Sequence, residues 1–380
     1  MKRALIVAAI VSVLIICMGA VMAYRSIRRF YAYIPQAQEV PPQLKNASVL
    51  YGGTKLVKVS YLKTNSIGTI TEIDEHADGT LTLIGKDGAA NFGADLSAKN
   101  TISFNPCSDE VVAAPIGKGT YFCRARYPIG GPSLIDAKGD EVWTYNDPAD
   151  KFGIEADDAT VGDLGPAHMP EVAVGMNGDG GVRLLTQDGK EVWRKPDGNV
   201  WHIEIMPRSG ASGNVIVHSN AAGKLTVRDE NGNLLCVCDA EIYMSEFSPT
   251  TWGKSSLQDK ILAATNQSLY VLSMDGKTLA RLPAPEVVDQ AGPKVKGLPV
   301  RLTSGAPYYA AIVRHELWTR TQLYVYDDAN RMIYDEVLDG DCGTLAPLKK
   351  QDGTEDLLLG CDNSVMKYSL AGGTGKLSRD

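Results

Sequence analysis

Short apolar runs alternate with clusters of Gly, Asn and Asp along most of the chain, and helical periodicity is hard to find beyond the N-terminal region. The clearest unit spans residues 171–194. It has an apolar run at 172–174, a Gly/Asn/Asp turn, a second run at 182–185, an Asp188-Gly189 turn and a third run ending on Trp193. Looser copies flank it. Equivalent first strands are expected at 111–113, 215–217, 261–263, 309–312 and 357–359, most of them roughly 43–50 residues apart, with a wider first gap. Second strands follow at 133–135, 224–227, 269–272, 323–326 and 365–368. Turns come next at Lys138-Gly139, Asn231-Gly232, Asp275-Gly276 and Ala329-Asn330; the Asp-Gly and Asn-Gly pairs suit two-residue hairpin loops. Third strands leave at 141–143, 234–236, 278–280 and 332–334.

Repeats of about 40–50 residues with several strands each predict the blades of a β-propeller. The last repeat lacks most of its third strand, whereas residues 49–51 and 56–59 are strand-like with no blade of their own. The first strands should therefore complete the last blade and close the ring, leaving no exposed sheet edge at the seam. A further blade over residues 67–92 brings the expected count to seven, with six and eight as the neighbouring counts. The expected class is all-β. The expected division is an anchor or signal at 1–23, a juxtamembrane spacer at 24–47, the propeller at 48–370 and a tail at 371–380.

The N-terminus changes the picture. Lys2 and Arg3 precede an uncharged run over residues 4–23, long enough as a helix to cross a bilayer's hydrocarbon core at about 1.5 Å per residue. This reads as a retained membrane anchor. Val21-Met22-Ala23 keeps a cleaved signal as the alternative. Cys17 follows Ile16 rather than a small residue, so it reads as an apolar cysteine and not a lipidation site. Arginines on both flanks leave orientation undecided by charge. Six cysteines outside the anchor, an even number, favour a body outside the cytoplasm; six reduced, buried thiols in a cytosolic body are the alternative. Net charge is −7 and no basic stripe exists beyond the N-terminal flank, which leaves nucleic-acid binding without support.

The segment from Gly162-Asp163-Leu164 through Gly181-Val182-Arg183 to Asp188-Gly189-Lys190-Glu191-Val192-Trp193 resembles FG-GAP/VCBS-type propeller repeats. Its Asp-Gly-Lys-Glu-Val-Trp ending is also similar to PQQ-like repeats. The first resemblance implies a calcium loop, for which Asp163, Asn177 and Asp179 are the candidate ligands. Gly175 stands where the first Asp of such a loop belongs, and calcium wants six to eight oxygens, so a turn shaped by Gly and Asn/Asp is the plainer reading. The second resemblance implies a quinone cofactor, but the adjacent cysteines that such dehydrogenases use are absent; here the pair is Cys236-Val237-Cys238.

Two residues apart on a strand, Cys236 and Cys238 share a face with Cα atoms near the limit for a disulfide. Cys107 with Cys123, and Cys342 with Cys361, are the candidate bridges; Cys342 and Cys361 would bracket the last blade's inner strand. His76, His168, His202, His218 and His315 are scattered without metal spacing and read as solvated loop residues, with His168 the most suggestive. Asp157-Asp158 reads as a surface loop. The expected function is a non-catalytic, membrane-tethered scaffold that binds a protein or a glycan at a propeller face. A polysaccharide hydrolase or lyase, and a calcium-stabilised adhesion or sensor module, are the competing readings.

Overall fold

The computed structural model describes residues 12–13, 15–25, 55–64, 67–76, 78–104, 111–116, 119–124, 131–146, 156–165, 169–206, 208, 213–220, 222–238, 247–252, 260–264, 268–284, 294–315, 320–338 and 342–371. Strand β1 (Lys55–Lys63) opens the body. Blade I is β2 (Ile70–Glu75), β3 (Leu81–Gly85), β4 (Gly88–Phe92) and β5 (Ala98–Ser103). Blade II is β6 (Val111–Ile116), β7 (Gly119–Arg124), β8 (Ser133–Ile135) and β9 (Glu141–Thr144). Blade III is β10 (Ala156–Gly162), β11 (Glu171–Met176), β12 (Val182–Leu185) and β13 (Glu191–Lys195). Blade IV is β14 (Ile203–Met206), β15 (Val215–Ser219), β16 (Leu225–Arg228) and β17 (Leu234–Val237). Blade V is β18 (Phe247–Thr250), β19 (Lys260–Ala264), β20 (Ser268–Ser273) and β21 (Thr278–Pro283). Blade VI is β22 (Lys294–Val300), β23 (Tyr308–His315), β24 (Arg320–Tyr326) and β25 (Met332–Leu338). Blade VII is β26 (Cys342–Lys349), β27 (Glu355–Cys361) and β28 (Ser364–Ala371), with β1 added as its outermost strand in the order β1-β28-β27-β26. The protein is a seven-bladed β-propeller of four-stranded antiparallel sheets, and its first strand completes its last blade, as expected.

Two sequence expectations change. Each blade has an innermost strand, namely β2, β6, β10, β14, β18, β22 and β26, which the apolar pattern does not single out except at 111–113. The run at 111–113 belongs to one of these, so the true equivalent of 172–174 in blade II is β7. The wide first gap was a mismatch of strands and not an insertion. The Asp-Gly turns are also longer than two residues. In blade III, Gly189 N donates to Thr186 O (2.9 Å) and Thr186 N donates to Lys190 O (2.8 Å), a three-residue loop in which only Gly189 takes positive φ (73°). A bulge between Leu184 and Leu185 follows from the extra residue. The residue that opens each loop holds it from inside. Asp136, Asp229 and Asp327 each accept two backbone N–H groups of their own loop on Oδ1, and Thr186 does so with its hydroxyl.

The core is distributed between blades. Alternation along β11 sends Val172 into the cluster shared with blade II and Ala173 into the one shared with blade IV, and both are fully buried. Seven such clusters fill the seven junctions, including VII–I (Ile70, Leu358, Val365) and VI–VII (Val325, Leu359, Tyr368). The VI–VII junction also carries a buried polar knot. Glu336 accepts from the Tyr334 and Tyr368 hydroxyls at 2.8 Å each and from Lys58 Nζ at 3.2 Å, so one carboxylate ties β25 to β28 and β1. Burial, reinforced by the Glu336 charge, holds both phenols well above their ordinary pKa and keeps them as donors.

Tryptophans latch the blades along the rim. Trp143 Nε1 donates to Gln187 O (2.8 Å) and Trp193 Nε1 donates to Glu230 O (3.0 Å), each reaching the turn of the next blade. The indoles lie on the turn glycines: a Cβ on Gly189 would meet the Trp143 ring at 3.0 Å, and one on Gly232 the Trp193 ring at 2.9 Å. Both turns therefore need glycine for contact as well as for φ.

Near the N-terminus, residues 12–13 and 15–25 are helical, with Val13, Ile15, Ile16, Met18, Val21 and Met22 all 49–69% exposed. Among the described residues no helix is long and apolar enough to cross a membrane; the first half of the 4–23 run lies outside them. Cys342 and Cys361 are joined as a disulfide that cross-links the paired strands β26 and β27 rather than bracketing one strand. Cys123 is a buried, unbridged thiol, and Cys107 lies outside the described residues. The bridge closes a loop of 19 residues. Substituting both cysteines by serine should lower the unfolding free energy by about 3 kcal/mol, measured by urea denaturation, and reductant should destabilise the parent but not the variant.

Candidate functional site

The seven innermost strands enclose the central channel, where a cavity of about 60 Å³ is lined by residues from every blade. Space of that size holds about four waters, at roughly 10–15 Å³ each. It is too small for a sugar ring, so the channel interior offers nothing to a polysaccharide-cleaving reading.

The channel's charges are arranged by blade. Glu72 comes from blade I, Asp158 from blade III, His202 and Glu204 from blade IV, and Lys294, Lys296 and Arg314 from blade VI. Blade VI thus forms a basic wall facing acidic residues on the other strands. Lys296 Nζ donates to Thr71 O (2.8 Å), reaching past blade VII from blade VI to blade I. Burial, then the neighbouring Asp74 charge, pushes the Glu72 carboxyl up to about 7 against the pull of Lys296. Burial raises Asp74 as well. At neutral pH Glu72 can therefore both give and accept a proton within the channel.

Asp158 is not on a surface loop. It lies on β10, where Oδ2 accepts from Ile203 N (3.0 Å) and contacts His202 Nδ1 (2.6 Å). His202 Nε2 lies 2.9 Å from Phe247 O and 3.5 Å from Glu204 Oε1. Both ring nitrogens thus face oxygens. His202 links blades III, IV and V and is not a solvated loop residue. His218 is likewise interior: its Nε2 lies 3.3 Å from Asp197 Oδ2, and Arg228 holds the same carboxylate through Nε (2.9 Å) and Nη2 (2.6 Å). Burial acts to raise the Asp197 pKa, but the His218 and Arg228 contacts outweigh it and hold the carboxyl down at about 2.

The candidate calcium ligands do not converge. Asp163 follows the end of β10, whereas Asn177 and Asp179 sit in the β11–β12 turn at the other end of the blade. The six residues of β11 separate them by roughly 17 Å at about 3.4 Å per residue. Asn199 Oδ1 accepts from Gly178 N (2.9 Å) and shapes that turn from inside the protein. Among the described residues no group of three or more His, Cys, Asp or Glu side chains could hold a metal ion. His168 lies outside the described residues.

A second, larger feature lies on the rim. An open groove of about 610 Å³ runs between blades II and III, lined by Trp143, Tyr145, Asp188, Lys190, Glu191 and Arg194 among others. Arg183 donates to the Tyr145 hydroxyl (3.1 Å), and that hydroxyl donates to Glu191 Oε2 (3.0 Å). Arg194 grips Glu191 through Nε and Nη2, both at 2.7 Å, and these hydrogen bonds hold the Glu191 pKa low. The groove is flanked by exposed Val142 and Val192, and the same strand position carries exposed Leu235 in blade IV and Leu279 in blade V.

No family model matches the chain, and no curated protein matches it. Solved structures share its fold. Virginiamycin B lyase from Staphylococcus aureus is similar with a TM-score of 0.55 at 11% identity, covering 83% of this chain and 99% of that one. A catalytically inactive form of that lyase with quinupristin gives a TM-score of 0.53 at 11% identity, covering 83% and 99%. BBS1N in complex with ARL6DN gives 0.53 at 12% identity, covering 84% and 97%. At such identities the likeness is one of fold.

Glu72 yields a sign-definite test. Its folded pKa of about 7 lies above the ordinary 4.5, so its contribution is fully present below pH 4.5 and lost as pH rises through 7. Between pH 5 and 8 the parent should lose about 2 kcal/mol that Glu72→Gln keeps, at ~1.36 kcal/mol per pKa unit, read from urea denaturation of both proteins at the two pH values.

Proposed function

We propose that the protein is a membrane-tethered propeller, held outside the cytoplasm, that serves as a docking scaffold for a partner protein. The observation that carries this reading is the rim groove between blades II and III. It offers Trp143, Tyr145 and Arg194, the residue types enriched in protein-binding hot spots, beside exposed valines. The apolar positions continuing through Leu235 and Leu279 extend the surface to blades IV and V.

The tether rests on the N-terminal helix, whose apolar side chains are exposed on every side and find no cover on the propeller. A helix apolar all round is at home in lipid. The Cys342–Cys361 bridge supports placement in an oxidising compartment. The indole-on-glycine latches favour kinship with PQQ-like repeats over the calcium-loop type, because they are made by the Asp-Gly and Trp positions of the ending on which that resemblance rests, whereas the calcium-loop positions do not converge. In the structure of BBS1N with ARL6DN a propeller-fold chain engages a protein partner, which makes a protein ligand reasonable here.

The test is crosslinking in native membranes with a photoreactive residue at position 142, followed by substitution. Val192→Glu combined with Arg194→Ala should cut recovery of the crosslinked partner at least tenfold, while Lys349→Glu on blade VII leaves it unchanged. Equal recovery from all three would overturn the groove as the docking surface. Recovery of the chain in the soluble fraction after carbonate washing would overturn the tether.

A further inference from the structure

We propose that Cys236 and Cys238, together with Met274, form a binding site for a soft monovalent metal ion of the Cu(I) class at the junction of blades IV and V. Cys236 occupies the third position of β17, the place that Trp143 holds in β9 and Trp193 in β13. Its partner is also equivalent. The tryptophans reach the carbonyl of the residue before the Asp-Gly or Asn-Gly pair, and Cys236 Sγ reaches the matching oxygen, Met274 O, at 3.2 Å. Cys238, two residues on, reaches the same oxygen at 3.2 Å. Two thiols thus converge on one point, and Cys236 and Cys238 are hydrogen-bonded to each other as well. An indole latch has been replaced here by a pair of sulfurs.

Their surroundings are apolar and soft. Cys238 is fully buried in a cluster with Val217, Val227, Phe247 and Leu272, and Cys236, Tyr270 and Met274 pack against it. Cys236 remains partly exposed, which provides an entry path. The two cysteines sit on one face of an extended segment, about 6.5–7 Å apart at Cα, where a disulfide would require the strand to bend. The dithiol therefore persists in a protein that bridges Cys342 to Cys361.

Donor chemistry selects the ion. Structural zinc and iron–sulfur clusters take four ligands, and the described residues offer no third His, Cys, Asp or Glu. Two thiolates in an apolar shell suit Cu(I), and Met274, which packs against the same cluster, is the residue we assign as the thioether donor. Binding breaks two S–H bonds and forms two S–Cu bonds. Both protons leave to solvent, copper stays monovalent, and no electron is transferred. Because binding releases both thiol protons, affinity rises with pH.

The test uses the full chain, reduced, titrated anaerobically with Cu(I) against a chromophoric Cu(I) chelator. The parent should withhold one more equivalent than Cys236→Ser/Cys238→Ser and release two protons for it. Met274→Leu should weaken that equivalent about tenfold, and Cys123→Ser should leave it intact. In parallel, one equivalent of Cu(I) should protect Cys236 of the parent from iodoacetamide, read by peptide mass spectrometry; this arm needs no variant to fold. Equal retention by parent and double variant, unprotected Cys236, or a Cys236–Cys238 disulfide in the protein as isolated would each overturn the proposal.

Discussion

The structure depends on the pairing of β1 with β28. No blade has a core of its own, since each sheet is four strands thick and apolar on both faces. Burial is achieved only when every blade has two neighbours, and that condition is met around a closed ring. The antiparallel ladder from Lys55↔Ala371 to Lys63↔Ser364 supplies the closure, and the Lys58–Glu336 contact with its two tyrosines anchors it to blade VI. Closure by backbone pairing also removes the exposed edge that an open sheet stack would present at its ends.

Electrostatics at the centre follow from the same geometry. Seven innermost strands bring side chains from seven distant segments into a space of about 60 Å³, where unlike charges must neutralise one another. His202 pairs with Asp158 across blades III and IV, and Lys296 stands against the Glu72 carboxyl while donating to the Thr71 carbonyl. The channel is a polar seam that fixes the blades' angular positions. The rim, where Trp143 and Tyr145 stand beside an ion pair, is where the proposed docking surface lies.

The blade repeat was legible because strands such as β11, β12 and β13 carry their signal locally: an apolar run, a Gly-containing loop, a tryptophan. The innermost strands were not legible. Phe247-Ser248-Pro249-Thr250 and Lys294-Val295-Lys296-Gly297 alternate between channel and core and hold Pro, Gly and charge where a strand signal would be sought. That omission hid the channel, since Asp158 looks like a loop residue until β10 is recognised. Glu72, His202 and Lys296 stand in different repeats, so no spacing rule joins them. The rim groove was half visible: Trp193 marked the repeat, but the role of Trp143 over Gly189 emerges only when consecutive blades are set side by side.

The seam between β1 and β28 also dictates an order of events during synthesis. Lys55 finds its partner only when Ala371 exists, so the first of the described strands to be made is the last to be paired. The longest-range pairing among the described strands is thus the finishing step, and it carries the slow kinetics of distant contacts. Until then β1 is an unpaired strand. A chain halted between β25 and β28 would hold six unsealed blades and a free strand, so β28 is the element on which closure of the ring waits.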